Sequence, residues 1–238
     1  MPKAGQRRTR LPVVGLCSSY AEGDLGIRAV TSLGAACDQI IVGEGPLGET
    51  TPLPQRWPPI RHTEVIFGSW ETDAAKRTFL LNAAKAWASG RKFWIVWIDG
   101  DELMLWGENL PLWIARAEYG DPELKETGGF PLRLVELTGA TVMATGRVIR
   151  GDIIEEYRHS IVEVKLTGME TSHPLPNLPN WAPGEPVTAY NRPPLHGEPH
   201  YLHLSSLRDP ARQAQRQSEA ETEGYEARAK ALGIYVPG

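Results

Sequence analysis

A chain of 238 residues with 41% hydrophobic and 23% charged side chains can bury a sizeable core, which excludes a polymer disordered throughout. Its net charge of -4 argues against holding nucleic acid mainly by electrostatics; Lys3, Arg7, Arg8 and Arg10 form a small basic arm that reads as a solvated tail. No apolar run approaches the roughly 18 residues that span a bilayer, and no apolar signal segment follows the arm, so the expected location is cytoplasmic.

Leu11 to Tyr20 reads as a first buried strand ending in small hydroxyl residues, which let a ligand approach the backbone. A helix is expected over 25–33, then a second strand from Asp38 that ends on Glu44. Strand, helix, strand implies a parallel crossover. The Gly- and Pro-rich residues 45–59 form a long loop, and Thr63 to Trp70 supply a third strand. In the next helix, capped by Thr72 or Asp73, Phe79, Leu80, Ala83, Ala84 and Trp87 make an apolar stripe that ends near Ser89. Lys76 and Arg77 lie in its first turns, where cations oppose the helix dipole; a nearby anionic ligand explains them, and so does simple surface exposure. Cys17 and Cys37 have neither a C-x-x-C partner nor histidines at zinc-finger spacing, and read as buried thiols.

Phe93 to Ile98 is an unbroken apolar run, the mark of a strand buried on both faces, and it stops on Asp99-Gly100-Asp101-Glu102. Two carboxylates flanking a glycine at a strand's carboxyl end are hard oxygen donors where open α/β sheets place their ligands, a setting for Mg²⁺ or Mn²⁺; the same residues also make an ordinary polar turn. A short helix is expected from about Leu110. The tryptophans between Trp87 and Trp113 read as core, with Trp106 a possible exception because it follows the acid turn.

After Phe130 the pattern turns to short β-rich pieces: 132–138, 141–145, 147–149 and 159–165, the last alternating as a half-exposed antiparallel strand. Residues 173–199 hold eight prolines and read as an irregular lid or strap. A last short strand re-enters over 199–204, and Asp209-Pro210 opens a polar surface helix to about Leu232. The expected fold is therefore α/β: a mostly parallel Rossmann-type sheet flanked by helices, with mixed or antiparallel strands in the second half and a C-terminal surface helix. One domain is expected over 1–238, with 11–105 as the nucleotide-binding half, 130–204 as the acceptor half and 208–232 as the helix.

Four stretches in this order resemble a GT-A-type glycosyltransferase, nearest to glycosyltransferase family 2. They are Val13 to Glu22, Asp38 to Glu44, Lys76 to Trp87, and Trp97 to Glu102 with its Asp-x-Asp and following Glu. The resemblance covers 11–105. It implies a GT-A fold and transfer of a sugar from a nucleoside diphosphate sugar to a hydroxyl acceptor, with inversion at the transferred carbon. It also implies that Ser18, Tyr20, Glu22, Glu44 and Arg77 contact the nucleotide, that Asp99 contacts the ribose or a metal-bound water, and that Asp101 binds Mn²⁺ or Mg²⁺. His203, with His200 beside it, falls where family members add a further metal ligand. The chemistry is coherent, because a divalent cation offsets the charge that builds up on a departing diphosphate.

The chain departs from the family pattern in two places. Glu44 stands where Asp is usual, without the common Gly-Ser-x-Asp after it, and the Glu-Asp pair of the base is missing. Asp152, Glu155 and Glu156 are the nearest acids for that role, Glu156 first, with His159 next. Two other classes compete: a Mg²⁺-dependent phosphotransferase or phosphatase with Asp99 as nucleophile and Asp101 as acid, and a sugar-nucleotide or glycan-binding protein that keeps the fold without catalysis.

Overall fold

The computed structural model describes residues 10–47, 56–119, 129–136, 141–159, 163–167, 172–174 and 194–204. They form a mixed α/β structure with a mostly parallel central sheet and, among the described residues, more strands than helices. The first half alternates as expected: β1 (Val13–Ser19), α1 (Asp24–Ser32), β2 (Gln39–Glu44), β3 (Thr63–Phe67), α2 (Asp73–Ala88) and β4 (Trp94–Asp99). β5 (Glu102–Leu105), α3 (Leu110–Tyr119), β6 (Gly129–Glu136) and β7 (Thr141–Arg150) follow, then β8 (Ile154–His159), β9 (Glu163–Leu166), β10 (Ser172–Pro174) and β11 (His200–His203).

Eight strands form one sheet in the order β3-β2-β1-β4-β7-β6-β11-β5. β1, β2, β3 and β4 run parallel, with Ser18 paired to Asp99 and Ser19 to Glu44. β1 lies between β2 and β4, so strand order reverses there, and the carboxyl ends of β1 and β4 open the crevice where such sheets bind ligands. β7 joins β4 antiparallel, and β11 lies parallel to β6 and antiparallel to β5. β8, β9 and β10 make a separate three-stranded antiparallel sheet.

β4 shows why an unbroken apolar run was needed. Trp94, Val96 and Ile98 pack with Val30, Leu33, Leu110 and Ile114 on the α1/α3 face, while Ile95 and Trp97 pack with Leu80, Leu81, Tyr157 and Val164 on the other. α2 is capped by Thr72, whose Oγ1 accepts from the Ala75 amide at 3.1 Å, and ends at Ser89 in a left-handed conformation. Its buried face is rotated from the expected stripe. Lys76, Arg77, Leu80, Leu81, Ala84 and Ala88 point inward and Phe79 is 43% exposed, because Lys76 and Arg77 reach the ends of the sheet.

Gly45, at φ 148°, lets the chain leave β2 close against β3: a Cβ there would lie 1.8 Å from the Gly68 carbonyl oxygen.

Several boundaries moved. β7 runs through Gly146, which reads as a break in sequence, because pairing with β6 and β4 carries the strand past a residue that only weakens it. The alternating stretch 159–165 spans the end of β8 and most of β9, and β5, which carries no strand signal of its own in the sequence, becomes a strand through pairing with β11. The strap over 173–199 is described only at its ends, and the helix expected over 209–232 lies outside the described residues. No helix among the described residues is long and apolar enough to cross a membrane.

Candidate functional site at the acid turn

The turn between β4 and β5 holds Asp99, Gly100, Asp101 and Glu102 at the carboxyl end of the parallel strands. The Gly100 amide donates to the Ser18 carbonyl at 3.1 Å, tying the turn to the end of β1. A Cβ on Gly100 would stand 2.7 Å from Glu22 Cγ, so the glycine lets the 20–24 loop close on the turn. From the other side, the Leu204 amide donates to the Asp101 carbonyl at 2.8 Å, which brings the end of β11 against the same turn.

Asp101 is buried, and its Oδ2 lies 2.9 Å from His203 Nε2. A carboxylate and an imidazole thus converge although they are far apart in sequence, through the pairing of His203 with Glu102 across β11 and β5. Asp99 is differently employed. Arg77 Nη2 donates to its Oδ1 at 2.9 Å and Arg147 Nη2 to its Oδ2 at 3.2 Å. The same Arg147 nitrogen donates to Glu102 Oε1 at 2.7 Å, and Glu102 Oε2 accepts the Asp99 amide at 2.8 Å.

Arg77 also donates through Nε to Asp73, at 2.7 Å, and lies over the Trp97 ring. Burial alone would lower both guanidinium pKa values; the neighbouring carboxylates more than reverse that, so both stay charged. Burial pushes the Glu102 carboxyl upward, against the pull of Arg147.

Glu44 is also occupied. Its Oε1 accepts the Ala21 amide at 2.7 Å and its Oε2 the Trp57 indole N–H at 3.2 Å, so the carboxylate holds the 20–24 loop to a residue near the end of the long Gly- and Pro-rich loop. Lys76, 2% exposed, donates to the carbonyls of Ser19 and Gly45 at 2.7 and 2.9 Å and thereby joins the ends of β1 and β2. Burial, only partly offset by Glu44 and Asp73, brings its pKa from 10.5 to about 8. Cys17 and Cys37 are buried, and burial raises both thiols, so neither is placed as a thiolate.

Ser18, Tyr20, Glu22, Glu44, Arg77, Asp99, Asp101 and His203 all lie at or beside this carboxyl edge. Asp152, Glu155 and Glu156 do not. Arg150 pairs with Trp94 at the opposite end of β4, so about 17 Å of strand separates that region from Asp99. Asp152 is held there by Arg150, with contacts of 2.6 and 2.7 Å. Glu155 pairs with Lys165 and Glu156 with Arg158 on the three-stranded sheet, whose Tyr157 packs inward on α2. Trp106 lies past the far end of β5 from the turn, 39% exposed, with its ring against His196.

Sequence reasoning missed Arg147 and the part Glu102 plays with it. The available signal was an arginine set directly against the apolar pair Val148-Ile149 in a strand; its partners depend on β7 lying beside β4, which no local pattern encodes.

As a site for a divalent ion, the Asp101–His203 pair supplies one carboxylate and one imidazole, a donor set that suits Mn²⁺ better than the all-oxygen preference of Mg²⁺. Among the described residues no three His, Cys, Asp or Glu side chains form a ready cage. Two protein ligands completed by phosphate oxygens and water are nevertheless a usual arrangement for such ions. The pair fits that role. The chain matches no protein-family model and no curated protein.

Proposed function

We propose that this chain is a metal-dependent glycosyltransferase of GT-A type that moves a sugar from a nucleoside diphosphate sugar to a hydroxyl acceptor. The observation that carries the reading is the meeting of Asp101 and His203, 2.9 Å apart, at the carboxyl edge beside the β1/β4 reversal. Asp101 and His203 would hold Mn²⁺ or Mg²⁺, whose charge would stabilise the departing diphosphate. Ser18, Tyr20 and Glu22 offer the edge along which the nucleotide would lie. Glu44 and Lys76 act from beneath, by fixing the loops that shape that edge. Asp99 positions the turn, since both of its oxygens face guanidinium groups.

That same clamp disfavours a phosphotransferase with Asp99 as nucleophile, because a carboxylate held by two arginines is a poor attacking group. A non-catalytic sugar-nucleotide-binding protein is the second reading. It is favoured by the positions of Asp152, Glu155 and Glu156, which leave none of these acids beside the turn.

A thermal-shift panel of nucleoside diphosphates with and without Mn²⁺ tests the shared part of both readings, since a ligand that binds only the native state raises Tm. At least one diphosphate should stabilise the protein only with the metal, and Asp101→Ala should abolish that dependence while leaving far-UV circular dichroism unchanged. No metal-dependent shift with any diphosphate would remove both readings. Release of free nucleoside diphosphate from the sugar donor, assayed with and without acceptor alcohols, then separates transfer from binding alone.

A further inference from the structure

We propose that Arg147 is a built-in cation occupying the position a second divalent ion would take, so that the acid turn admits one metal ion and not two. The turn carries Asp99, Asp101 and Glu102 within four residues, a density of negative charge whose members repel one another and attract cations. Arg147 Nη2 sits between two of the three carboxylates, 2.7 Å from Glu102 Oε1 and 3.2 Å from Asp99 Oδ2. The Asp99 amide closes the ring onto the other oxygen of Glu102.

The manner of contact points to a stand-in for a metal ion. A guanidinium ordinarily engages carboxylates through its planar fork, two nitrogens at a time. Here one nitrogen serves both carboxylates, while Nε and Nη1 are buried without a hydrogen-bond partner among the described residues. The group is 93% buried by neighbours that include the Tyr201 ring, 5.6 Å from its central carbon. Arg147 is therefore used as a point charge at the place where two oxygen ligands converge, which is how a divalent ion would be used.

Arg77 occupies the other oxygen of Asp99. The two arginines together engage Asp99 and Glu102, whereas Asp101 meets His203 on the other side of the turn. The role of that pair as a metal site rests on the functional reading above; the stand-in role of Arg147 rests on its own contacts.

Mn²⁺ titration of the full chain, followed by loss of the free-ion electron paramagnetic resonance signal, tests it. Arg147→Gln should bind one more Mn²⁺ per chain than wild type, whatever the wild-type number, and Arg147→Lys should bind the wild-type number. Adding Glu102→Gln to the Arg147→Gln variant should remove the extra ion. Should Arg147→Gln fold only when Mn²⁺ is present, its Tm should rise with Mn²⁺ more steeply than that of wild type, which supports the same conclusion. A folded Arg147→Gln variant with wild-type stoichiometry would overturn the proposal, and so would one that fails to fold at every Mn²⁺ concentration. If wild type itself binds no Mn²⁺, the metal role of Asp101 and His203 falls, while the difference between Arg147→Gln and wild type still decides the role of Arg147.

Discussion

Two sets of acid–base pairs in this molecule are built from the same residue types and do different work. At the acid turn, Arg77 and Arg147 face Asp73, Asp99 and Glu102 in a largely buried cluster. On the three-stranded sheet and the turn before it, Arg150, Arg158 and Lys165 face Asp152, Glu156 and Glu155 in contact with water. Removing one member of a buried cluster strands a charge in low dielectric, whereas a solvated pair is readily replaced by water. Sequence alone does not separate the two sets, since each is an arginine or lysine near acids; the depth of the cation separates them, because Arg77 and Arg147 are buried and Arg150, Arg158 and Lys165 are not, while Asp73 and Asp99 are about as exposed as Asp152.

The contrast is sharpest at Arg77. Arg77→Met takes the guanidinium from Asp73 and from Oδ1 of Asp99, whose other oxygen keeps Arg147, and should cost about 3–5 kcal/mol in urea denaturation. A loss below about 1 kcal/mol would erase the distinction between the clusters.

Lys76 makes the same point through pH. Burial lowers its pKa from 10.5 to about 8, so between those values the unfolded chain binds more protons than the folded one and stability rises with pH. The ammonium's penalty is fully present below about pH 8 and relieved by pH 10.5, a change on the order of 3 kcal/mol. Lys76→Met should flatten that part of the stability–pH curve, read by denaturant titration at each pH.

A neutral buried pair should fall between the extremes. Tyr157→Phe takes the acceptor from the Trp97 indole N–H, now 2.5 Å away, and should cost about 1–3 kcal/mol with a matching change in Trp fluorescence. At the shallow end, Glu155→Gln and Glu156→Gln should each alter stability by less than about 1 kcal/mol, with folding cooperativity retained. A larger loss from Glu156→Gln would give that solvated pair a weight the buried cluster alone should have.

The parallel half was legible because its signals are local. Phe93 to Ile98 announced a strand covered on both faces, Thr72 announced the start of α2, and the acid ending of β4 announced the turn. The second half was not, because β5 exists through its pairing with β11, and β8 and β9 through their pairing with each other, which the alternation at 159–165 conceals. The same limit applies to the site. Asp99 and Asp101 could be found from their spacing, but the partners of each could not: Arg77 and Arg147 reach Asp99 from α2 and β7, and His203 reaches Asp101 from β11. Lys76 and Arg77 stood out as cations in the wrong helical turn; that they turn inward, toward strand-end carbonyls and an internal carboxylate, could not be read from the dipole argument.

The position of β11 has a consequence for the order of assembly. β11 is the only described strand joining β5 to β6, and it carries His203 to Asp101 while the Leu204 amide seals the turn. During synthesis, β1 to β4 can associate as soon as they have emerged, but the acid turn waits for residue 204 before its imidazole and last backbone tie arrive. Until then β5 lacks β11, its pairing strand among the described residues, and Asp101 lacks His203. The meeting of Asp101 with His203 at this edge is thus coupled to completion of a long-range strand insertion, the slow kind of step in folding, and a chain stopped before β11 would hold the carboxylates without that imidazole.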